Sequence, residues 1–141
     1  MRFMMIVKAD KNSEAGVLPS AELIAAMDRF NKEMTDAGVM LAGEGLHSSA
    51  KGARVTFHRN GTRTVTEGPF PDTKHLVAGF WMIQVKSKEE AIEWAKRCPG
   101  SENEIVEVRQ VQELADFPAD VRQAAAGFDE MQRGAGRSVR P

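Results

Sequence analysis

The chain has 141 residues, of which 42% are hydrophobic and 28% are charged, values typical of a single globular domain. Its 19 Lys and Arg residues nearly balance its 20 Asp and Glu residues, so the formal net charge is −1. This balance does not favour nucleic acid or an anionic membrane as a partner, and no stretch approaches the roughly 20 apolar residues of a membrane helix. Cys98 is the only cysteine, which excludes an internal disulfide and a four-thiolate zinc site. We therefore expect a cytoplasmic protein with no metal and no cofactor.

The first part of the chain predicts two strands that flank a long helix. Residues 2–8 form a short apolar run typical of a buried strand, whereas residues 9–19 have the composition of a loop. Ser20 is placed to cap a helix that ends at Gly38. The apolar residues of this helix recur at helical spacing, which puts them on one face: Leu23, Met27, Phe30 and Met34. A short strand follows at 39–43.

A β-hairpin and a central strand are predicted next. The hairpin covers 53–68, because Asn60-Gly61 is a strong turn signal in which both residues favour positive φ. The most apolar strand of the chain follows at 78–85. Its continuous apolar character indicates a central position in the sheet, covered on both faces.

A second helix and a last strand complete the pattern. Ser87 and Glu90 match a capping box at the start of the helix, and the strand is predicted at 104–111. The order β-α-β, hairpin, β-α-β indicates an α+β fold, a ferredoxin-like split sandwich with an inserted β-hairpin. Helices on one face of an antiparallel sheet leave its other face open, and a second copy of the sheet is the simplest cover. We therefore predict a homodimer.

The chain changes character after residue 112. Residues 113–131 predict a helical extension that starts near Pro118, a residue favoured in the first turn of a helix. Residues 132–141 contain three arginines and no acidic residue, a composition expected to be disordered. The predicted organisation is thus a domain at 1–112, a helical extension and a basic tail.

The segment EGPFPDTKHLVAGFW, residues 67–81, is the best candidate for chemistry because it places charged residues directly before the central strand. Asp72, Lys74 and His75 supply a carboxylate, an ammonium and an imidazole. An imidazole titrates near neutral pH, and a nearby carboxylate fixes its tautomer. His75 and Asp72 are therefore candidate catalytic residues for acid–base chemistry. Lys74 is a candidate ligand-binding residue.

Two carboxylates outside this triplet are further candidates for ligand binding. Glu44 lies between two glycines, and Glu67 opens the segment. If both carboxylates share one cleft with Lys74, they can hold a small polar ligand between acidic and basic groups. The alternative is that residues 68–70 are a fold element, in which glycine and proline form a turn and phenylalanine anchors it.

EGPFPDTK at 67–74 resembles the signature DGPFAETKE of the YCII-related, or DGPF-domain, family. Glu67 stands where the family has aspartate, and His75 stands where it has glutamate. AGEGL at 42–46 is similar to the family's GGEGL, and the second helix and last strand are also similar. The resemblance spans residues 1–112. It implies a dimeric α+β barrel from a bacterium, with a sigma factor as a candidate partner.

Three functions fit these observations. The first is a dimeric protein of unassigned activity that binds a small polar metabolite near the DGPF-like segment. The second is a cofactor-independent isomerase or lyase in which His75 is the base, Asp72 orients it and Lys74 stabilises negative charge. The third is a regulatory module associated with a sigma factor. The wider family implies a catalytic histidine on the first helix, but the helix predicted at 20–38 contains none.

Overall fold

A computed structural model describes residues 1–128 and 130–131. The chain divides into two compact units, and the first of them spans Met1–Gln110. Within this first unit the strands and long helices follow the predicted order of β-α-β, hairpin and β-α-β. The fold is therefore α+β with antiparallel sheets.

The first half of this unit contains strand β1 (Arg2–Lys8), helix α1 (Lys11–Glu14), helix α2 (Ala21–Asp36) and strand β2 (Met40–Gly45). Ser20 caps α2 as predicted, since its hydroxyl accepts a hydrogen bond from the Leu23 N–H at 3.1 Å. Helix α1 lies where composition predicts only a loop. It forms because the Asp10 carboxylate accepts a hydrogen bond from the Ser13 N–H at 2.8 Å, which gives a partner to a backbone donor in the first turn of the helix.

The second half contains β3 (Ala53–Phe57), β4 (Arg63–Glu67), β5 (Val77–Gln84), α3 (Lys88–Arg97) and β6 (Val106–Gln110). The Ser87 hydroxyl caps α3 by accepting a hydrogen bond from the Glu90 N–H at 3.2 Å. The Glu90 carboxylate does not return this bond to Ser87. The Glu90 carboxylate accepts a hydrogen bond from the Lys86 N–H instead, at 3.0 Å. The second hydrogen bond of the predicted capping box is therefore made to the residue before Ser87.

The turn between β3 and β4 lies where Asn60-Gly61 predicts it, but its backbone geometry differs. Gly61 has a φ of +83°, but Asn60 has a negative φ, since Asn103 is the only described non-glycine residue with a positive φ. The prediction of a positive φ at Asn60 is therefore wrong. The turn is wider than a two-residue turn, because the His58 N–H donates to the Thr62 carbonyl at 3.0 Å. Asn60 therefore does not need a positive φ. Asn60 contributes through its side chain, whose Oδ1 accepts from the Thr62 N–H at 3.1 Å.

The main sheet has the strand order β2-β5-β1-β6, which confirms the central position predicted for β5. One face of this sheet packs against α2 and α3 through residues that are less than a tenth exposed: Phe3, Met5, Phe30, Met34, Val39, Trp81, Ile83, Val85, Ala91 and Trp94. Trp81 links the sheet to α2, since its ring meets Phe30 edge to face and its Nε1–H donates to Asn31 Oδ1 at 2.8 Å. This apolar layer is the core of the unit.

The opposite face of the main sheet is less covered. Met4 pairs in register with Met82, and Ile6 pairs with Phe80, on the face that points away from the core. These four side chains are half-buried. The continuous apolar character of β5 therefore combines a packed face with a partly exposed one, rather than two equally buried faces. The hairpin β3–β4 forms a separate two-stranded sheet.

The second unit starts at Val111. It contains a short 3-10 helix at Leu114–Asp116 and helix α4 at Ala119–Ala124, which Pro118 precedes as predicted. The predicted basic tail at 132–141 lies outside the described residues. Within the described part of the chain, no helix is both long enough and apolar enough to cross a membrane.

Candidate functional site

Ser49 is the centre of a hydrogen-bond network that anchors the DGPF-like loop, residues 68–75. The Ser49 hydroxyl and N–H both donate to the Glu14 carboxylate, the latter at 3.0 Å. The same hydroxyl oxygen accepts a hydrogen bond from the Phe70 N–H at 2.9 Å. Hydrogen bonds to a charged carboxylate are stronger than those between neutral groups. The network thus joins α1, the 3-10 turn at Ser49–Lys51 and the loop.

Gly68 is required by the close approach of the loop to this turn. A Cβ atom at Gly68 would lie 1.7 Å from the Ser49 carbonyl oxygen, so no other residue fits without movement of the backbone. The Gly68 N–H donates to the Gly52 carbonyl at 2.9 Å, and the Gly68–Pro69 peptide bond is cis. These contacts support the interpretation of Gly68 and Pro69 as elements of a structural turn.

Arg54, on strand β3, holds the loop from the side of the hairpin. Its guanidinium carbon lies 3.9 Å from the centroid of the Phe70 ring, within range of a cation–π interaction. Its nitrogens lie 3.4 Å from the carboxylate of Asp72. A hydrogen bond to its own backbone N–H, followed by the contact with Arg54, lowers the pKa of Asp72. The Asp72 carboxylate is thus engaged with Arg54.

Lys74 and His75 lie on an exposed 3-10 turn at Thr73–His75. The His75 N–H donates to the Asp72 carbonyl at 2.9 Å. The His75 ring has no hydrogen bond and no ion pair with any described residue. The candidate catalytic residues Asp72 and His75 are therefore neighbours whose side chains are not joined by a hydrogen bond. The charge of His75 makes only the smallest of the contributions that lower the Asp72 pKa.

The two outlying carboxylates occupy different sheets. Glu44 is exposed on β2, where it pairs in register with Phe80 on the half-buried face of the main sheet. Glu67 is exposed at the end of β4, where it pairs with Ala53 in the hairpin. Neither forms an ion pair with Lys74 within the described residues. The structure brings Asp72, Lys74 and His75 to one turn, while Glu44 belongs to the main sheet.

A groove of about 430 Å³ runs beside the DGPF-like loop. Its lining residues come from α1 and from the loop: Lys11, Glu14, Ala15, Pro69, Phe70, Pro71 and Thr73. Lys11 forms no ion pair with any described residue, and no described group bonds the Thr73 hydroxyl. Sequence reasoning missed Lys11 and Glu14 because they lie in a segment with loop composition. The capping pattern of Asp10 and Ser13 is the one signal that marks a helix there.

A second cavity, of about 350 Å³, lies beside the end of α3 and is lined in part by Cys98, Glu104 and Val106. Burial, and to a lesser extent the charge of Glu104, raises the pKa of Cys98 to about 11. Since the thiolate is the reactive form of cysteine, this thiol is a poor nucleophile at neutral pH. In the part of the chain that the structure describes, no three His, Cys, Asp or Glu side chains cluster to hold a metal ion.

Comparison with known families agrees with the signature in the loop. A model of the YCII-related domain matches residues 1–115, which include the main sheet, the hairpin, the loop and the groove. A search among curated proteins finds no match. Because the family model covers most of the sequence, the chain belongs to the YCII-related domain family.

Proposed function

We propose that this protein binds a small metabolite in the groove beside the DGPF-like loop. The observation that carries this proposal is the fixed position of the loop, which Ser49 anchors through hydrogen bonds with Glu14 and Phe70. Two lining residues, Lys11 and Thr73, have side-chain polar groups without a partner among the described residues. Binding sites for small molecules are concave, mostly apolar and equipped with a few placed polar groups. The groove has this composition.

Preorganisation of the wall supports binding further. Pro69 and Pro71 have fixed φ angles, and the Phe70 ring is held by Arg54 at 3.9 Å. A ligand that packs on these side chains immobilises few additional rotamers. The entropic cost of binding is correspondingly low.

The experiment that tests this proposal is an NMR titration of the ¹⁵N-labelled protein with mixtures of small metabolites. Amide shifts are expected to concentrate at residues 11–16, 70, 72 and 73, since Pro69 and Pro71 have no amide hydrogen. Ala15→Phe places a large side chain at the groove and is expected to abolish the shifts. Ala37→Phe is the matched control, because both alanines are exposed C-caps with a φ of −75°.

Two results would contradict the proposal. One is a set of shifts that concentrate at Cys98 and β6, which would assign binding to the other cavity. The other is unchanged binding by Ala15→Phe, provided that the spectrum of this variant shows the native fold. In contrast, loss of binding by Ala15→Phe and not by Ala37→Phe would support the groove.

The protein is further proposed to act as a homodimer through the half-buried face of the main sheet. The strand order β2-β5-β1-β6 supports a ferredoxin-like sandwich, and α2 and α3 both pack on the other face. Met4, Ile6, Phe80 and Met82 form an apolar centre on this face, which a second sheet would remove from water. Light scattering during gel filtration is expected to give the mass of two chains. Phe80→Glu is expected to give a monomer, and Ile24→Glu on α2 to leave the dimer intact.

Acid–base catalysis is the second candidate function, and the exposed ring of His75 favours it. This imidazole is free of hydrogen bonds to the described residues and lies beside Asp72, whose carbonyl accepts a hydrogen bond from the His75 N–H. If a bound metabolite carries an acidic C–H bond, the wild-type protein is expected to exchange that hydrogen for deuterium in D₂O. His75→Ala should stop the exchange, whereas His47→Ala, in another exposed loop, should not. Equal exchange by all three proteins would exclude His75 as the base.

A further inference from the structure

We infer that the ligand of this groove is a monoanion with an apolar body, such as a carboxylate attached to a ring or a short aliphatic chain. The inference rests on the proposed function, since it names the ligand class of the same groove. It follows from three features of the lining residues, which are their charge, their free hydroxyl and their apolar wall.

The charge at the groove is set by Lys11 and Glu14, which lie one helical turn apart on α1. They do not pair with each other, because both oxygens of the Glu14 carboxylate accept hydrogen bonds from Ser49. The negative charge of Glu14 is thus stabilised by two donors, and its bonding capacity toward a ligand cation is reduced. Lys11 lines the groove without an ion-pair partner among the described residues. The Lys11 ammonium is therefore the charged group at the groove that remains available to a ligand anion.

The second feature is the hydroxyl of Thr73, a lining residue that the loop contributes. The Thr73 N–H donates to the Pro71 carbonyl at 3.2 Å, which fixes the backbone while the hydroxyl stays free to donate. An ammonium and a hydroxyl together suit one carboxylate group. Lys11 is the one cationic residue among the lining residues and Glu14 is anionic, so a dianion such as a phosphate monoester would be repelled by Glu14 more strongly than a monoanion.

The third feature is the apolar wall formed by Ala15, Pro69, Phe70 and Pro71. Neither proline has an N–H to donate, and the Phe70 N–H is already bound to Ser49 at 2.9 Å. The wall therefore offers few polar contacts and favours the burial of carbon atoms. A volume of about 430 Å³ accommodates a small ring with one carboxylate.

The inference is tested with three probes that share one ring and differ in charge: benzoate, benzamide and benzylamine. Binding to the full chain is measured by NMR titration at low ionic strength. Benzoate is expected to bind about two- to fivefold more tightly than benzamide, the size of effect that an exposed ion pair supplies. Benzylamine, a cation at neutral pH, is expected to bind most weakly. Added salt should reduce the preference for benzoate.

Variants assign the preference to the named residues. Lys11→Gln should make benzoate and benzamide bind equally, whereas Lys88→Gln, an exposed lysine on α3, should keep the preference. Thr73→Val keeps the shape of the side chain and should weaken benzoate by about two- to tenfold. The native spectrum of each variant confirms that its fold is intact.

The outcomes separate this inference from the proposed function. If benzamide binds as tightly as benzoate, or if Lys11→Gln still prefers benzoate, a monoanion is excluded as the ligand class, while the groove remains a binding site. A neutral or cationic metabolite that binds at residues 11–16 and 69–73 would also exclude a monoanion as the ligand class and leave the proposed function standing. If neither these compounds nor any metabolite binds the groove, both the inference and the proposed function are wrong.

Discussion

The main sheet and the β3–β4 hairpin belong to the same compact unit but are stabilised in different ways. Phe3, in β1, is 1% exposed and packs in the core between the sheet and the helices. Phe57, in β3, is 71% exposed, and every residue of both hairpin strands is exposed. The main sheet therefore depends on burial of apolar surface, and the hairpin does not.

This difference shows what holds the hairpin in place. An isolated two-stranded hairpin is only marginally stable in water. Here the base of the hairpin is attached to the DGPF-like loop by Arg54, which contacts Phe70 and Asp72, and by the hydrogen bond from Gly68 to Gly52. The residues that form the loop thus also position the hairpin.

The largest expected effect comes from a matched pair of phenylalanine substitutions. Phe3→Ala removes a fully buried ring and is expected to lower the free energy of unfolding by about 3–5 kcal/mol. Phe57→Ala removes an exposed ring and is expected to change it by about 0.5 kcal/mol or less. Urea denaturation followed by tryptophan fluorescence measures both. A comparable loss in the two variants would contradict the contrast between sheet and hairpin.

Substitution of Gly68 tests the close contact between the loop and the Ser49 turn. Gly68→Ala places a Cβ atom 1.7 Å from a backbone carbonyl oxygen, so the turn must move. We expect a loss of about 3 kcal/mol of unfolding free energy. Gly45→Ala, on β2, is the control because nothing lies within 4 Å of the added atom. Equal stability of the two variants would show that the loop accommodates the side chain.

Removal of the Ser49 hydroxyl tests the network that anchors the loop. Ser49→Ala removes a donor to Glu14 and an acceptor for the Phe70 N–H, and is expected to cost about 1–3 kcal/mol. Hydrogen exchange of the Phe70 amide should accelerate as well. Ser101→Ala, at an exposed site, should change neither quantity. Unaltered protection of the Phe70 amide would exclude Ser49 as its main anchor.

The smallest effect is expected for the exposed pair of Arg54 and Asp72. The folded-state pKa of Asp72 lies below its ordinary value of 3.8, so the carboxylate stabilises the fold at pH values above 3.8. This contribution is lost as the pH falls through the folded-state pKa. The stability difference between the wild-type protein and Asp72→Asn should therefore be small at neutral pH and vanish in acid. Thermal unfolding at several pH values measures it, with Asp28→Asn as the control.

Local sequence signals predicted most of the fold. The apolar runs located β1 and β5, and Ser20 and Ser87 marked the starts of α2 and α3. These signals work because a cap or a strand pattern involves residues only a few positions apart. The short helix α1 escaped prediction, since its one turn has no apolar periodicity.

The candidate site was predictable only in part. The DGPF-like signature located the loop, and the structure places Asp72, Lys74 and His75 together on it. The partners of the loop were not predictable from the sequence, because Glu14 lies 35 residues before Ser49, and Ser49 lies 21 residues before Phe70. Spacing along the chain carries no information about such contacts. Spacing likewise does not show that Glu44 lies on the main sheet.

The amino-acid sequence is enough to predict the order of the strands and long helices along the chain, the site of the hairpin turn and membership of the YCII-related family. Each of these depends on short-range patterns that remain the same whatever the chain does elsewhere. Only the folded structure shows that Asp72 contacts Arg54 and that Lys11 lines the groove beside Phe70. Those relations arise from the packing of distant segments, where Gly68 permits close approach and Ser49 supplies the hydrogen bonds.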